Sequence, residues 1–443
     1  MAQEHDELNK RRELREARQK KKLAQQRRMK IRLAVAVFLL IACGVGIYFL
    51  SKGADPMDVI NGVEITPTTE APTEVPVEET EETTQPTSSR YQAPETVIHI
   101  RAAGDLNVTD KVVNSADTDL GYDYHKAFID VAHLLADADL TMLNFEGTLC
   151  GAPYGTQTAS APQELMTALA EAGVDIVQMA NSYSVYNGMI GLATTLQNIR
   201  AAGIEPVGAF ATTEEFRQSK GYTICEVQGV KVAVVAFTKG MGGLGLPAGS
   251  ENCVNVLYTD YATTYREVDK QGITAILENV AEEAPDITIA MLHWGSEFND
   301  TISDTQKSIV ELMKKNGVDV ILGTHSHMVH ELSYDETTGF FVAYSLGDFF
   351  GDGQRSGTNY SILLDLEITK NNDTGATRVT DYGYTPLYIL SENEGPDGRQ
   401  VVRVQETMAA YDLNYIDRVI SSAYNGMKSA QSRIADRVMG KYK

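Results

Sequence analysis

DITIAMLHWGSEFND (residues 286–300) and VDVILGTHSHMVH (residues 318–330) each carry an apolar run that ends on histidine. The runs Ile287–Leu292 and Val318–Leu322 are short, β-branched and bounded by turn residues, which predicts two buried parallel strands. Between them Asp304–Asn316 has helical spacing and stops at Gly317. The result is a β-α-β unit with His293 just past one strand and His325 and His327 just past the other. Ligands of open α/β sheets bind beyond the carboxyl ends of the strands. Three of the chain's eight histidines therefore share one edge. A G-x-H-x-H turn can present two imidazoles to one ion, and neutral imidazole is the commonest metal ligand.

Outward from this unit, the first half of the chain after residue 95 alternates strand and helix. Strands are expected at Val97–Ala103, Leu140–Leu143 and Val174–Met179, and helices at Tyr124–Ala136, Gln163–Ala172 and Ile190–Ala202. That alternation predicts a layered α/β domain. Tyr222–Val227 and Lys231–Phe237 flank Gln228-Gly229-Val230 and read as a β-hairpin. Thr263–Glu283 reads as one long helix. Late strands at Phe340–Leu346, Tyr360–Thr369 and Arg378–Leu390 suggest a second, mixed sheet. Residues 96–392 form the expected domain, and 393–443 a mostly helical extension.

The N-terminal third has another character. Residues 1–32 carry twelve Lys/Arg and five acids, a balance of +7 against −22 for the whole chain, which leaves −29 for residues 33–443. Leu33–Leu50 holds eighteen residues without a charge. As a helix it would reach about 27 Å, enough to span the hydrocarbon layer. With the basic block before it, the expectation is a single-pass anchor with a cytoplasmic N-terminus and an extracellular main domain. Beside a membrane span the basic block is a topology and lipid-surface signal, and no nucleic-acid partner is expected. Residues 51–95 are rich in Thr, Pro and Glu and predict a disordered spacer. Outside the apolar run only Cys150, Cys225 and Cys253 remain, which argues against a disulfide framework.

The polar residues that follow strands are Asp105, Glu146, Asn181, His293, His325, His327 and Asp348. Mixed histidine and carboxylate donors suit manganese, zinc or iron better than calcium. The chain also carries, in order, Gly104-Asp105, Asn144-Phe145-Glu146, Ala180-Asn181, His293-Trp294-Gly295-x-Glu297, Gly323-x-His325-x-His327 and Tyr344-Ser345-Leu346-Gly347-Asp348-Phe349. In these it resembles the CapA, or poly-γ-glutamate capsule synthesis, family, relatives of the calcineurin-like metallophosphatases. The resemblance runs from about Thr96 to Leu390.

It implies a four-layer α-β-β-α sandwich with one or two divalent transition ions at a sheet edge. Asp105, Glu146, His293, His325 and His327 would be metal ligands. His293 and Tyr183 would act in catalysis, and Asn181, Trp294, Glu297 and Asp348 would contact substrate. It also implies a role in making or exporting an anionic envelope polymer, beside membrane synthase or export subunits. The sequence departs from the family pattern at Ser182-Tyr183, where Asn-His is usual, and at Tyr186, Asp348 and His330. A tyrosine is a poorer general acid near neutral pH than histidine. A working phosphoesterase and a binding module that kept the fold therefore both stay open.

Overall fold

The computed structural model describes residues 94–395, 397–415 and 419–441. The expected cytoplasmic segment, membrane helix and nearly all of the spacer lie outside the described residues. Within them, no helix is long and apolar enough to cross a membrane.

The first half of the domain supplies β1 (Glu95–Asn107), a small hairpin of β2 (Asp117–Thr118) and β3 (Gly121–Tyr122), then β4 (Leu140–Glu146), β5 (Ile176–Gln178) and β6 (Glu205–Val207). The next stretch supplies β7 (Tyr222–Val227), β8 (Val230–Thr238), β9 (Ile287–His293), β10 (Val320–Thr324), β11 (Leu332–Asp335) and β12 (Phe340–Ala343). The last four are β13 (Asp348–Phe350), β14 (Tyr360–Asn371), β15 (Thr377–Leu390) and β16 (Gln400–Arg403).

They build two large sheets. The eight-stranded sheet runs β16-β15-β14-β1-β4-β5-β6, with β13 parallel to the end of β1. The six-stranded sheet runs β11-β12-β10-β9-β8-β7. The fold is thus mixed α/β, with parallel pairing at the centre of each sheet and antiparallel strands beside it.

Alternation along the second sheet shows how it is sandwiched. Val232, Val234, Ile289, Met291, Val320, Leu322 and Phe341 join one apolar core with Ile98, Ile100, Met142, Val177 and Leu364 of the first sheet. The intervening Ala233, Val235, Ala290, Leu292, Ile321 and Val342 face the other way. There they pack on Ile273, Ile276 and Leu277 of helix Lys270–Glu282 and on Ile309, Val310 and Met313 of helix Asp304–Lys315. The latter helix starts at a capping box between Ser303 and Gln306 and ends before Gly317, whose φ is +83°. The buried faces of helices Glu164–Ala172 and Gly188–Ala201 belong to the core of the first sheet.

Several expected elements are corrected. The late strands β14 and β15 do not start a second sheet; they extend the first one antiparallel to β1. The organising β-α-β unit lies in the other sheet. The long helix expected over Thr263–Glu283 begins only at Lys270, with the Asp269 side chain as its cap. Upstream, the Asp260 carboxylate accepts the backbone N–H groups of Arg266 and Glu267 and holds that stretch in a turn. The helix expected over Tyr124–Ala136 is two short ones, His125–Phe128 and Ala132–Asp137. At the break, Asp130 accepts from the backbone and guanidinium of Arg403. The C-terminal region contributes strand β16 as well as helices Val404–Asp412 and Ser421–Val438. Cys150, Cys225 and Cys253 are free thiols.

Candidate metal centre

The carboxyl ends of β1, β4, β9 and β10 converge on one edge, and each delivers polar side chains there. Parallel pairing sets Asp105 beside Asn144 and Asn107 beside Glu146. It also sets Thr238 and Thr324 on either side of His293. β13 then brings Asp348 opposite Asp105. This last approach needs glycine: a Cβ at Gly104 would lie 1.7 Å from the Gly347 carbonyl oxygen. That carbonyl accepts the Asp105 N–H at 2.9 Å.

The turn after β10 is strained. His325 and His327 have φ of +88° and +60°, a region that side-chain-bearing residues seldom adopt. The backbone N–H of His325 donates to Asp105 Oδ2 at 3.1 Å, which helps hold the turn. Strain of this kind persists where the surrounding structure enforces it, commonly at ligand sites.

Two donor groups result. Asp105, His327 and Asp348 offer ligand atoms within 4.8 Å of one another, and so do Glu146, His293 and His325. Glu297, exposed at the mouth, joins His325 and His327 in a third set. The pairwise contacts are close. His327 Nδ1 lies 2.8 Å from Asp348 Oδ1 and 3.4 Å from Asp105 Oδ2. His293 Nε2 lies 3.0 Å from Glu146 Oε1.

The supporting contacts fix these groups. Thr238 Oγ1 donates to the Gly240 carbonyl at 2.9 Å, so toward His293 Nδ1, 3.0 Å away, it accepts. His293 therefore carries its proton on Nδ1, and its Nε2 lone pair faces Glu146. Asn144 Nδ2 donates to Asp105 Oδ1 at 2.7 Å and to Glu146 Oε1 at 3.2 Å. Asn107 Nδ2 donates to Asp348 Oδ1 at 2.9 Å.

Burial decides the electrostatics. It raises the Asp105 carboxyl to about 7, with Glu146 and Asp348 adding repulsion and His327 opposing. It raises Glu146 to about 7 as well, with His327 opposing and Asp348 and Glu297 adding. It lowers His293 to about 3 and His325 well below the ordinary imidazole range. At His327 burial pulls downward, yet Asp348 and Glu146 outweigh it and raise that ring well above the usual value.

These donors fit a transition ion. Neutral imidazole and carboxylate are the required ligand types. The buried His325 Nδ1 has no hydrogen-bond partner among the described residues. An unmet buried polar atom costs about 1–3 kcal/mol, and with the ring proton on Nε2 a cation would satisfy this one. The His293 lone pair against Glu146 calls for the same remedy. A divalent ion bound here would supply positive charge to polarise a phosphoryl or carbonyl oxygen.

Of the remaining expected site residues, Glu297 and Tyr183 lie at this edge. Tyr183 is half-buried, and burial followed by Glu146 and Glu297 pushes its phenol further up. Asp348, expected on the substrate, instead packs among the donor groups. Two substrate contacts are corrected. Trp294 is fully buried in the outer core, stacked on Tyr344 and donating from Nε1 to the Tyr344 carbonyl. One residue beyond His293, it points to the opposite face of the sheet. Asn181 is also fully buried, and its amide is consumed by Asn144, the Phe145 carbonyl and the Tyr183 N–H. It steadies Asn144.

Thr238 and Lys239 had no sequence signal as site residues, and Asn144 entered only within the Asn144-Phe145-Glu146 motif, with no role of its own. Each lies inside or just after an apolar run that reads as core. Lys239 donates to the Gly295 carbonyl at 2.6 Å, and burial lowers its pKa.

The profile of the family described as bacterial capsule synthesis protein PGA_cap matches residues 99–353. The chain belongs to this family. A PGA_cap relative, the PGA biosynthesis protein CapA of Bacillus subtilis (strain 168), is 27% identical over 271 residues, 58% of this chain and 67% of that protein. The capsule biosynthesis protein CapA of Bacillus anthracis is 27% identical over 212 residues, 48% of each chain. The chain thus spans about two thirds of the first relative and about half of the second. Among solved structures, the calcineurin-like phosphoesterase YfkN from Bacillus subtilis aligns at 16% identity, over 78% of this chain and 99% of that one, with a TM-score of 0.39. A phosphatase from Mycoplasma pneumoniae aligns at 16% identity, over 66% and 94%, with a TM-score of 0.40. Every PGA_cap motif residue quoted above falls within the matched span.

Proposed function

We propose that this PGA_cap protein is a membrane-anchored, extracytoplasmic component of capsule or cell-envelope polymer assembly, with a divalent metal at its sheet edge. Manganese, zinc and iron are the candidate ions. The polymer is anionic, of poly-γ-glutamate type, and the working partners are membrane synthase or export subunits. The observation that carries the metal is the buried His293 Nε2 lone pair set against Glu146. The biosynthetic role rests on family membership and on the names of the two CapA relatives.

The placement outside the membrane rests on the +7 block before Leu33. Protease added to intact protoplasts should digest the domain and spare the N-terminus; a protected domain would overturn the topology. Deleting the gene should lower cell-associated anionic polymer, and an unchanged amount would sink the biosynthetic role.

Ser182 and Tyr183 favour a second reading of the chemistry, in which the fold holds metal and ligand but hydrolyses slowly. The acid position holds a phenol that its surroundings make still less acidic. The two readings separate on phosphodiester turnover.

A further inference from the structure

The C-terminal helix Ser421–Val438 crosses beside the metal edge, and a cavity opens between it and residues 353–360. Its volume is about 380 Å³. Gln354, Arg355, Ser356, Tyr360, Ser429 and Arg433 line it. The inner face of the helix, with Met427, Ala430 and Ile434, is anchored in the core. One turn beyond Arg433, Arg437 donates to Asp300 Oδ2 at 2.8 Å and to the Val329 carbonyl at 3.2 Å. The helix is thereby tied to both histidine-bearing loops.

Three features of this cavity point to an anion. First, neither Arg355 nor Arg433 pairs with a carboxylate among the described residues, although most of the other described arginines do. Both belong to exposed residues, so their guanidinium groups are open to a ligand from solvent. Second, Tyr360 is 3% exposed, and its buried hydroxyl has no hydrogen-bond partner among the described residues. A phenolic O–H left unmet in the interior is costly, and a ligand acceptor would satisfy it. Third, the cavity adjoins the metal centre. The Arg355 guanidinium lies 4.0 Å from the Phe298 ring centre, and Phe298 stacks on His327 at 5.2 Å.

We infer that this cavity is an oxyanion site that takes a carboxylate or phosphate group through Arg355, Arg433 and the Tyr360 hydroxyl. The planar guanidinium fork matches both groups, and such charge-assisted bonds are the strong ones. The cavity is larger than one oxyanion and has room for an anion that belongs to a longer molecule. Through Phe298 the cavity neighbours His327, the direction in which such a molecule would reach the histidine-bearing edge. The anion site is separate from the donor groups and does not depend on a metal being bound.

Titration calorimetry on the full-length protein in EDTA tests it, with inorganic phosphate and glutarate as separate probes. Removing metal keeps a failure of the metal reading distinct from a failure of this one. At least one probe should bind at one per chain, and the preferred probe distinguishes phosphate from carboxylate as the natural group. Replacing both arginines, R355A with R433A, should weaken binding by about tenfold or more. Tyr360→Phe, which keeps the packing and removes only the hydroxyl, should weaken it several-fold. Arg433→Lys should retain part of the affinity and control for folding. Absence of binding by either probe at millimolar concentration, or unchanged affinity in the double arginine variant, would overturn the inference.

Discussion

Nε2 of His293 faces Oε1 of Glu146 across 3.0 Å, with both side chains buried. Because Thr238 accepts the proton on Nδ1, the imidazole brings a lone pair to a carboxylate oxygen. Two acceptors at that separation repel unless a proton or a cation stands between them. In the metal-free PGA_cap edge the proton kept by Glu146 can fill that gap, a bound cation would replace it, and the exchange gives measurable signs.

Glu146 itself provides the first test. Its raised pKa, about 7, means the metal-free folded chain keeps a proton that the unfolded chain has released above about 4.5. Stability therefore falls as pH rises across that window and stays reduced above it. Glu146→Gln removes this cost, so in EDTA at pH 8 the variant should be more stable than the parent by about 3 kcal/mol. With manganese present the sign should reverse, because a ligand is lost. Thermal unfolding with and without the ion measures both; a variant equally affected in the two conditions would contradict the assignment.

Thr238 is the second. Partners that orient a ligating histidine typically contribute about 10–100-fold to metal affinity. Thr238→Val should lower affinity in that range, and Thr238→Ser should restore it. Chelator competition gives the constants. Equal affinity in the valine variant would mean that the threonine does not set the tautomer.

Gly104 tests the backbone geometry. A Cβ there has no room against the Gly347 carbonyl, so Gly104→Ala must push β1 and β13 apart. The cost should be about 3 kcal/mol, with metal affinity reduced because Asp105 and Asp348 separate. Denaturant unfolding reads the first effect, and a variant of parental stability would show that the close approach is dispensable.

The residues beside Asn181 give the prediction on turnover. A positioned general acid is typically worth about 10²–10⁴ in rate. The metal-loaded protein should hydrolyse a phosphodiester feebly, and Ser182→Asn combined with Tyr183→His should raise the rate. Rapid turnover by the unaltered protein would show that Tyr183 or another group already serves as acid.

Much of this edge was legible in the sequence because each donor follows an apolar run. The strand ends after Ile287–Leu292 and Val318–Leu322 could be placed without coordinates, and with them His293, His325 and His327. Facing was harder to read. Trp294 shares a motif with His293, yet strand alternation sends it to the opposite side of the sheet. Asn181 lies at a strand end and is spent on Asn144. Thr238 was hidden just past a run that reads as core, and Asn144, though part of a motif, had no role that its position alone could assign. Strand partners were not encoded locally either: β14 and β15 look like a separate sheet until their register against β1 is known. The helix over the anion cavity is amphipathic in sequence, but its docking on Asp300 and Val329 depends on contacts more than one hundred residues away.

The account stands most directly on metal content. Full-length protein purified without chelator and analysed by elemental mass spectrometry should carry at least one equivalent of a transition metal per chain. Changing His325 and His327 together to Ala should abolish it, because ligands act as a set. Unaltered protein without bound transition metal even after reconstitution, or a double variant with full content, would contradict the claim that this histidine-bearing edge is a metal centre.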